Sequence, residues 1–157
     1  LEVIREAAHA QMARGIRVPA ERQAAFRAAR PLFGKAYQKD PNDFRTLYGY
    51  AQARSIEADY PNDNALEVLL RARELAPSVE QVSLQVGAAL IKRDRHQAAL
   101  FFLTPLANNP HGGPHQARAK ALIAGAKPKI EELKGEAKAA EAKPPARSLL
   151  SSLRAWP

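Results

Sequence analysis

The fold is decided by two segments of similar pattern, ALEVLLRARELAP at residues 65–77 and ALFFLTPLANNP at residues 99–110. In each, a small residue, a large apolar residue and another apolar residue recur at helical spacing ahead of a proline. This is the buried face of a helix that ends at the proline. Matching residues lie about 34 apart, the period of a helix–turn–helix repeat. The matches are Ala65 with Ala99, Leu69 with Leu103, Ala72 with Leu106 and Pro77 with Pro110.

A second helical pattern precedes each of these segments. Val86, Gly87 and Leu90 place a large apolar residue beside a glycine, with another large residue three positions later, and Tyr48-Gly49 repeats the pair. With these residues the chain resembles the tetratricopeptide repeat (TPR) family, in about two to three degenerate copies. A third, earlier copy is indicated by Ala29, Phe33, Ala36 and Pro41. The departures are a missing tryptophan in the first helix, about four extra residues between Gly49 and Gly87, and Pro105 inside a helix that it should kink or unwind.

The resemblance implies an all-α fold in which antiparallel helix pairs stack as a short right-handed α-solenoid. The repeats cover residues 1–125, and an Ala/Lys/Pro-rich extension covers residues 126–157. Stacks of such pairs present an extended groove to a partner. We therefore expect a non-catalytic protein–protein interaction scaffold that binds a peptide or a partner helix.

The family pattern also implies which side chains line that groove. Leu84 and Ala88 stand where chaperone-binding members carry basic and amide residues that clamp a peptide carboxylate, so that clamp is not expected here. Tyr50 and Arg54 are the expected anchors, because aromatic and arginine side chains dominate binding energy at interfaces. The predicted groove residues are Thr46, Leu47, Tyr50, Arg54, Gln81, Gln85, Ala88 and Lys92.

Proline, glycine and capping residues predict the limits of the helices. We expect Gly15 to end the first helix and Ser78 to cap the fifth. The last helix should be an exposed one at 128–142, supported by Glu–Lys pairs three or four residues apart. The predicted helices are 1–14, 19–39, 43–57, 65–75, 78–92, 97–108, one from about 115, and 128–142.

Composition agrees with a single helical domain. The 157 residues are 46% hydrophobic, mostly alanine and leucine, and contain no cysteine, which excludes disulfides and thiolate metal sites. No apolar run is long enough for a transmembrane segment. The chain begins with Leu1 rather than methionine, which is compatible with excision from a longer protein of bacterial origin. The compartment, cytoplasmic or periplasmic, stays open.

The net charge of +8 is unevenly distributed. Residues 41–80 carry four basic and seven acidic side chains, whereas the segments on either side are basic. Basic surfaces attract nucleic acid, and a basic nucleic-acid-binding module is one alternative. Few aromatic residues are interleaved with the basic ones, however, so we do not expect nucleic acid as the main partner.

Candidate chemistry is sparse. His111 and His115 have a metal-ligand spacing, but two glycines and a proline separate them and no third ligand is near, so no metal or other cofactor is predicted. His9 and His96 stand among charged residues and are expected at the surface. No nucleophile–base pair can be singled out, and we predict no enzymatic activity for these residues. The alternative is a helical accessory region of a larger bacterial enzyme or secretion and assembly component.

The C-terminal residues form a short apolar stripe at helical spacing. It is expected either to pack on this protein or a partner, including a second copy of the chain, or to be a disordered tail. The predicted tail contacts are Leu149, Leu150, Leu153 and Trp156.

Overall fold

Seven α-helices follow one another along the chain in the computed structural model, which describes the backbone of residues 1–142 and the side chains of residues 1–139. No strand occurs within those residues, and the predicted all-α class is confirmed. A single 3₁₀ turn, Pro19–Glu21, precedes the second helix. The helices are α1 (Glu2–Arg17), α2 (Arg22–Lys39), α3 (Phe44–Ala53), α4 (Asp63–Leu75), α5 (Glu80–Lys92), α6 (His96–Ala107) and α7 (Pro114–Ala142).

Two of the predicted turns supply helix caps. The Asp43 carboxylate accepts a hydrogen bond from the Thr46 backbone N–H at 3.2 Å and so begins α3. The Asn62 side chain accepts one from the Ala65 N–H at 2.9 Å and begins α4. Each cap satisfies a backbone donor that the first helical turn leaves unpaired.

Consecutive helices pack as hairpins, α1 with α2, α3 with α4 and α5 with α6, and neighbouring hairpins also pack on each other. Alanines let the helices approach closely, and large apolar residues fill the spaces between them. Phe33, Leu69, Leu90 and Leu103 are the largest side chains that are fully buried. The first segment of α7 also contributes Ala119, Leu122 and Ile123 to the core around α5 and α6.

Two predicted boundaries differ because glycine and serine serve other purposes than expected. α1 continues to Arg17, because Gly15 is a packing residue: a Cβ there would lie 3.0 Å from the Cβ of Ala25. Ser78 does not cap α5. That helix begins at Glu80 after Val79, whose side chain makes no cap hydrogen bond.

Prolines disturb the helices less than predicted. α6 remains helical through Pro105, which lies two residues before its last residue, although the proline removes one backbone hydrogen bond. α7 likewise passes through Pro128 where a break was expected.

The end of α3 also differs from the prediction. This helix ends at Ala53 instead of reaching residue 57.

The chain divides into two compact units after Ala126. The unit Leu1–Ala126 contains the hairpins. In the second unit, the described residues 127–142 continue α7. Lys129 pairs with Glu132 at 2.9 Å and Lys134 with Glu131 at 3.2 Å on its surface, the three-residue spacing expected from the sequence. The tail residues Leu149, Leu150, Leu153 and Trp156 lie outside the described residues.

Candidate functional site

α3 presents two different faces, because its side chains turn by about 100° per residue. Thr46 and Tyr50 lie on the side toward α2 and α4, where they line a cavity with Leu47. Tyr48 and Gln52 lie on the other side, toward α5. The predicted groove residues of α3 therefore belong to the cavity side.

The predicted groove residues of α5 form a different surface. Gln81, Gln85, Ala88 and Lys92 follow one another at helical spacing and are exposed or half-buried, whereas Val82, Val86 and Leu90 of the same helix are buried. The side chains of Gln81 and Gln85 lie close enough to the Tyr48 hydroxyl to lower its pKa. These contacts join the exposed side of α5 to α3. We call this surface, made by Arg45, Tyr48, Gln52, Gln81, Gln85, Ala88 and Lys92, the polar face.

Tyr48 is the centre of the polar face. The Gln52 side chain donates to its hydroxyl at 3.0 Å, and Gln81 and Gln85 of α5 lie near the same oxygen. Burial raises the pKa of Tyr48 to about 12, although the amides of Gln81 and Gln85 oppose the shift. A neutral, well-positioned phenol therefore persists at any physiological pH.

Three cations lie on or beside the polar face. Arg118 of α7 lies close enough to act electrostatically on the Tyr48 hydroxyl, and the Lys92 ammonium stands 5.7 Å from the ring centre of Tyr60. Arg45 lies one turn before Tyr48 on α3 and is exposed. Among the described residues, no carboxylate pairs with the side chains of Arg45, Lys92 or Arg118. The polar face is therefore electrostatically positive.

Arg54 is held within the protein. Its guanidinium donates to Glu57 at 2.8 Å, to the Tyr50 hydroxyl at 3.1 Å and to Asn64 at 3.1 Å. Glu57 also pairs with Arg30 of α2 at 2.6 Å. The pKa of Arg54 is raised, first by its hydrogen bond to Glu57. A partner that used Arg54 as an anchor would have to break this network.

The cavity on the other side of α3 has a volume of about 560 Å³. Its walls come from three helices and are mainly apolar, with Val68 on α4 opposite α2. The contributions of α2 and α3 are Phe33, Gly34 and Tyr37, and Thr46, Leu47 and Tyr50. The structure thus divides the eight predicted groove residues between the cavity side and the polar face.

The reason for this division is a rotation of α3 relative to α5. Gly87 lies against Leu103, in the helix that follows α5. Gly49 instead lies against Phe33 and His9, in the hairpin that precedes α3. Aligning the two glycines therefore superimposes opposite sides of the helices. Ala51, which belongs to the same core cluster as Leu66, Leu69 and Leu103, is the small residue of α3 that faces its own hairpin.

Sequence reasoning consequently missed Arg45, Tyr48 and Gln52 as members of the exposed surface. The signal available was their spacing, because positions 45, 48 and 52 fall on one side of a helix. The binding roles of all these residues remain predictions.

Within the described residues, no group of three or more His, Cys, Asp or Glu side chains is placed to hold a metal ion. His115 contacts Glu80 at 3.3 Å, and His111 lies in the exposed turn before α7. The prediction that His96 lies at the surface is wrong, because the residue is only 6% exposed. Neither of its ring nitrogens makes a hydrogen bond. Within residues 1–142, none of the helices has the length and hydropathy needed to cross a bilayer.

Comparison with known proteins identifies a similar fold. No protein-family model and no curated protein matches the chain. Among solved structures, the type III secretion translocator chaperone SycD of Yersinia enterocolitica is similar, with a TM-score of 0.66 and 18% sequence identity. The similarity covers 83% of this chain and 86% of SycD. At this level of identity the two chains share an all-helical fold.

Proposed function

We propose that this chain is a non-catalytic scaffold that binds a segment of a partner protein on its polar face. The observation that carries the proposal is a set of three cations without a carboxylate partner: Arg118, which acts on the half-buried Tyr48, Arg45, one turn before Tyr48, and Lys92, which lies against Tyr60. An aromatic side chain with nearby cations and amides is typical of the anchoring centre of an interface.

The charge of the polar face defines the class of partner. Cations without an internal carboxylate attract a segment that carries aspartate or glutamate. The amides of Gln52, Gln81 and Gln85 offer donors and acceptors to the backbone of an extended peptide or to polar side chains of a helix. We therefore propose an acidic, amphipathic segment as the ligand.

The fold it shares with SycD favours a chaperone-like role for this scaffold. We propose membership of the TPR family and a role in a secretion or assembly system, in which the partner is held until it is handed on. The helical hairpins support this proposal because stacked hairpins form extended binding surfaces.

Affinity capture with charge-reversal variants tests the proposal. The bait is the full chain in nuclease-treated lysate, and the test variant is Arg45→Glu with Lys92→Glu. We expect a protein retained by the unmodified chain to be lost, with affinity reduced by about tenfold or more, because two attractive contacts become repulsive.

The matched control carries the same change in charge elsewhere. Lys35 and Lys39 are exposed on α2, and Lys35→Glu with Lys39→Glu should retain the partner. Equal loss in both variants would indicate non-specific electrostatic attraction. Loss of all capture after nuclease treatment would instead assign the surface to nucleic acid.

A further inference from the structure

The cavity between α2, α3 and α4 lies on the opposite side of α3 from the polar face. Its volume of about 560 Å³ falls within the range of roughly 300–1,000 Å³ typical of ligand pockets. Phe33, Leu47 and Val68 contribute apolar walls, and Tyr37 is half-exposed at the same wall. The cavity therefore has room for more than one side chain. It adjoins α2 and α4, which do not contribute to the polar face.

Gly34 is an unexplained feature of the cavity wall. It lies inside α2, where glycine is less favourable than alanine. The other glycine at this interface, Gly49, is required by close contact with Phe33, but a Cβ at Gly34 would meet nothing within 4 Å. Close packing does not account for Gly34. Its effect is to open the wall, so that a ligand can approach the backbone of α2.

The charges around the cavity leave one carboxylate free. Arg71 donates to Glu74 and to Asn42, each at 3.0 Å, so its positive charge is compensated by the Glu74 carboxylate. Glu67 is exposed at the cavity and, among the described residues, has no hydrogen bond or ion pair. The uncompensated charge at the cavity is therefore negative, the opposite of the polar face.

We propose that this cavity is a second docking site, which receives a segment of a partner protein in which a lysine or arginine adjoins an apolar side chain. The apolar side chain fills the space between Phe33, Leu47 and Val68. The aliphatic stem of the basic residue lies along Tyr37, and its charged end reaches Glu67. Long basic side chains commonly bury the stem and expose the charge in this way.

The probe for this proposal is the acetylated and amidated tripeptide leucine-lysine-leucine, titrated into the isotope-labelled full chain. We expect saturable shifts of backbone amide resonances from residues that line the cavity. Replacing the central lysine with norleucine removes the charge at similar length, and replacing it with glutamate reverses the charge. We expect the lysine peptide to bind most tightly, the norleucine peptide more weakly and the glutamate peptide most weakly.

Two protein variants separate shape from charge. Gly34→Leu extends a side chain from the cavity wall, at a position where a Cβ meets nothing within 4 Å, and should abolish saturable binding, whereas Gly125→Leu, at another helical glycine with an equally open Cβ position, should not. Glu67→Gln should weaken the lysine peptide about two- to fivefold, the range of an exposed ion pair. Glu6→Gln, an exposed carboxylate on α1, is its control.

Three results would overturn the proposal. These are unchanged binding to Gly34→Leu, equal affinity for the lysine and glutamate peptides, or shifts confined to residues outside the cavity. Capture on the polar face is measured with different variants, so this site and the proposed function can fail independently.

Discussion

Gly49 of α3 lies so close to the ring of Phe33 in α2 that a Cβ at Gly49 would overlap the ring carbons. Phe33 is fully buried and cannot move aside without disturbing the first hairpin. This contact sets the rotation of α3 about its axis. It thereby places Tyr48 and Gln52 on the polar face and Thr46 and Tyr50 on the cavity.

We expect Gly49→Ala to lower the free energy of unfolding by about 1–2 kcal/mol, because overpacking outweighs the gain of roughly 1 kcal/mol in helix propensity. Urea denaturation measures the change. The matched control is Gly34→Ala, next to Phe33 in α2 at a position where a Cβ meets nothing within 4 Å, which should raise stability by up to about 1 kcal/mol. Similar effects of the two substitutions would contradict the close contact.

Asp43 joins α1 to the start of α3. Its carboxylate accepts hydrogen bonds from the Thr46 hydroxyl at 2.6 Å and from Arg5 at 2.8 Å, and the side chains of Arg5 and Asp43 are each 12% exposed. Burial acts to raise the pKa of Asp43, but these hydrogen bonds hold it below its usual value of 3.8.

Because the folded pKa of Asp43 is lowered, its contribution to stability is present above pH 3.8 and is lost as the pH falls through the folded value. Asp43→Asn keeps a capping side chain but loses the charge, and should cost about 2 kcal/mol at neutral pH. We expect urea denaturation to show this difference narrowing in acid. A difference independent of pH would rule out the ionised carboxylate as its source.

Tyr48 should lose its proton only in strongly alkaline solution, because burial raises its pKa to about 12. Its neutral form is favoured, so its contribution to stability is complete below the usual pKa of 10 and is lost as the pH rises through about 12. In a tyrosinate absorbance titration, Tyr48→Phe should remove the latest step. Replacing the half-exposed Tyr37 should leave that step in place. A titration unchanged by Tyr48→Phe would contradict the burial of this hydroxyl.

His96 is expected to cost stability rather than supply it. Neither ring nitrogen makes a hydrogen bond, although Nε2 lies 3.5 Å from the Asp94 carboxylate, and each buried polar group without a hydrogen bond is unfavourable by about 1–3 kcal/mol. We predict that His96→Leu raises the free energy of unfolding by about 1 kcal/mol. His111→Leu, in the exposed turn, should change it by less than about 0.5 kcal/mol. A marked loss of stability for His96→Leu would mean that the contact between the imidazole and Asp94 is stabilising, and would contradict this prediction.

The helical hairpins could be predicted from the sequence, because the alanine, leucine and proline spacing of α4 and α6 reports one buried face and one end directly. Asp43 and Asn62 are turn residues whose caps follow from their chemistry. The rotation of α3 could not be predicted in the same way. A glycine indicates a close approach but does not say from which side, and the preceding hairpin supplies the contact at Gly49 while the following helix supplies it at Gly87.

Burial of single polar residues was equally hidden from the sequence. His96 is surrounded in sequence by Arg93, Asp94 and Arg95, which are exposed, yet it begins α6 on the side that faces the core. Arg54 fits an interface anchor by residue type, but its partners Glu57 and Asn64 are brought to it by the turn between α3 and α4. Such assignments depend on tertiary contacts and not on local pattern.

The central claim is that a partner protein binds the polar face, and site-specific photocrosslinking tests it most directly. A benzophenone amino acid is placed at Gln85 on the polar face and, in a second full-length chain, at Gln38 on the exposed side of α2. We predict that the Gln85 chain crosslinks to a distinct protein in cells, and that Arg45→Glu with Lys92→Glu removes this product. The same product from Gln38, or its persistence in the charge-reversed chain, would contradict the account.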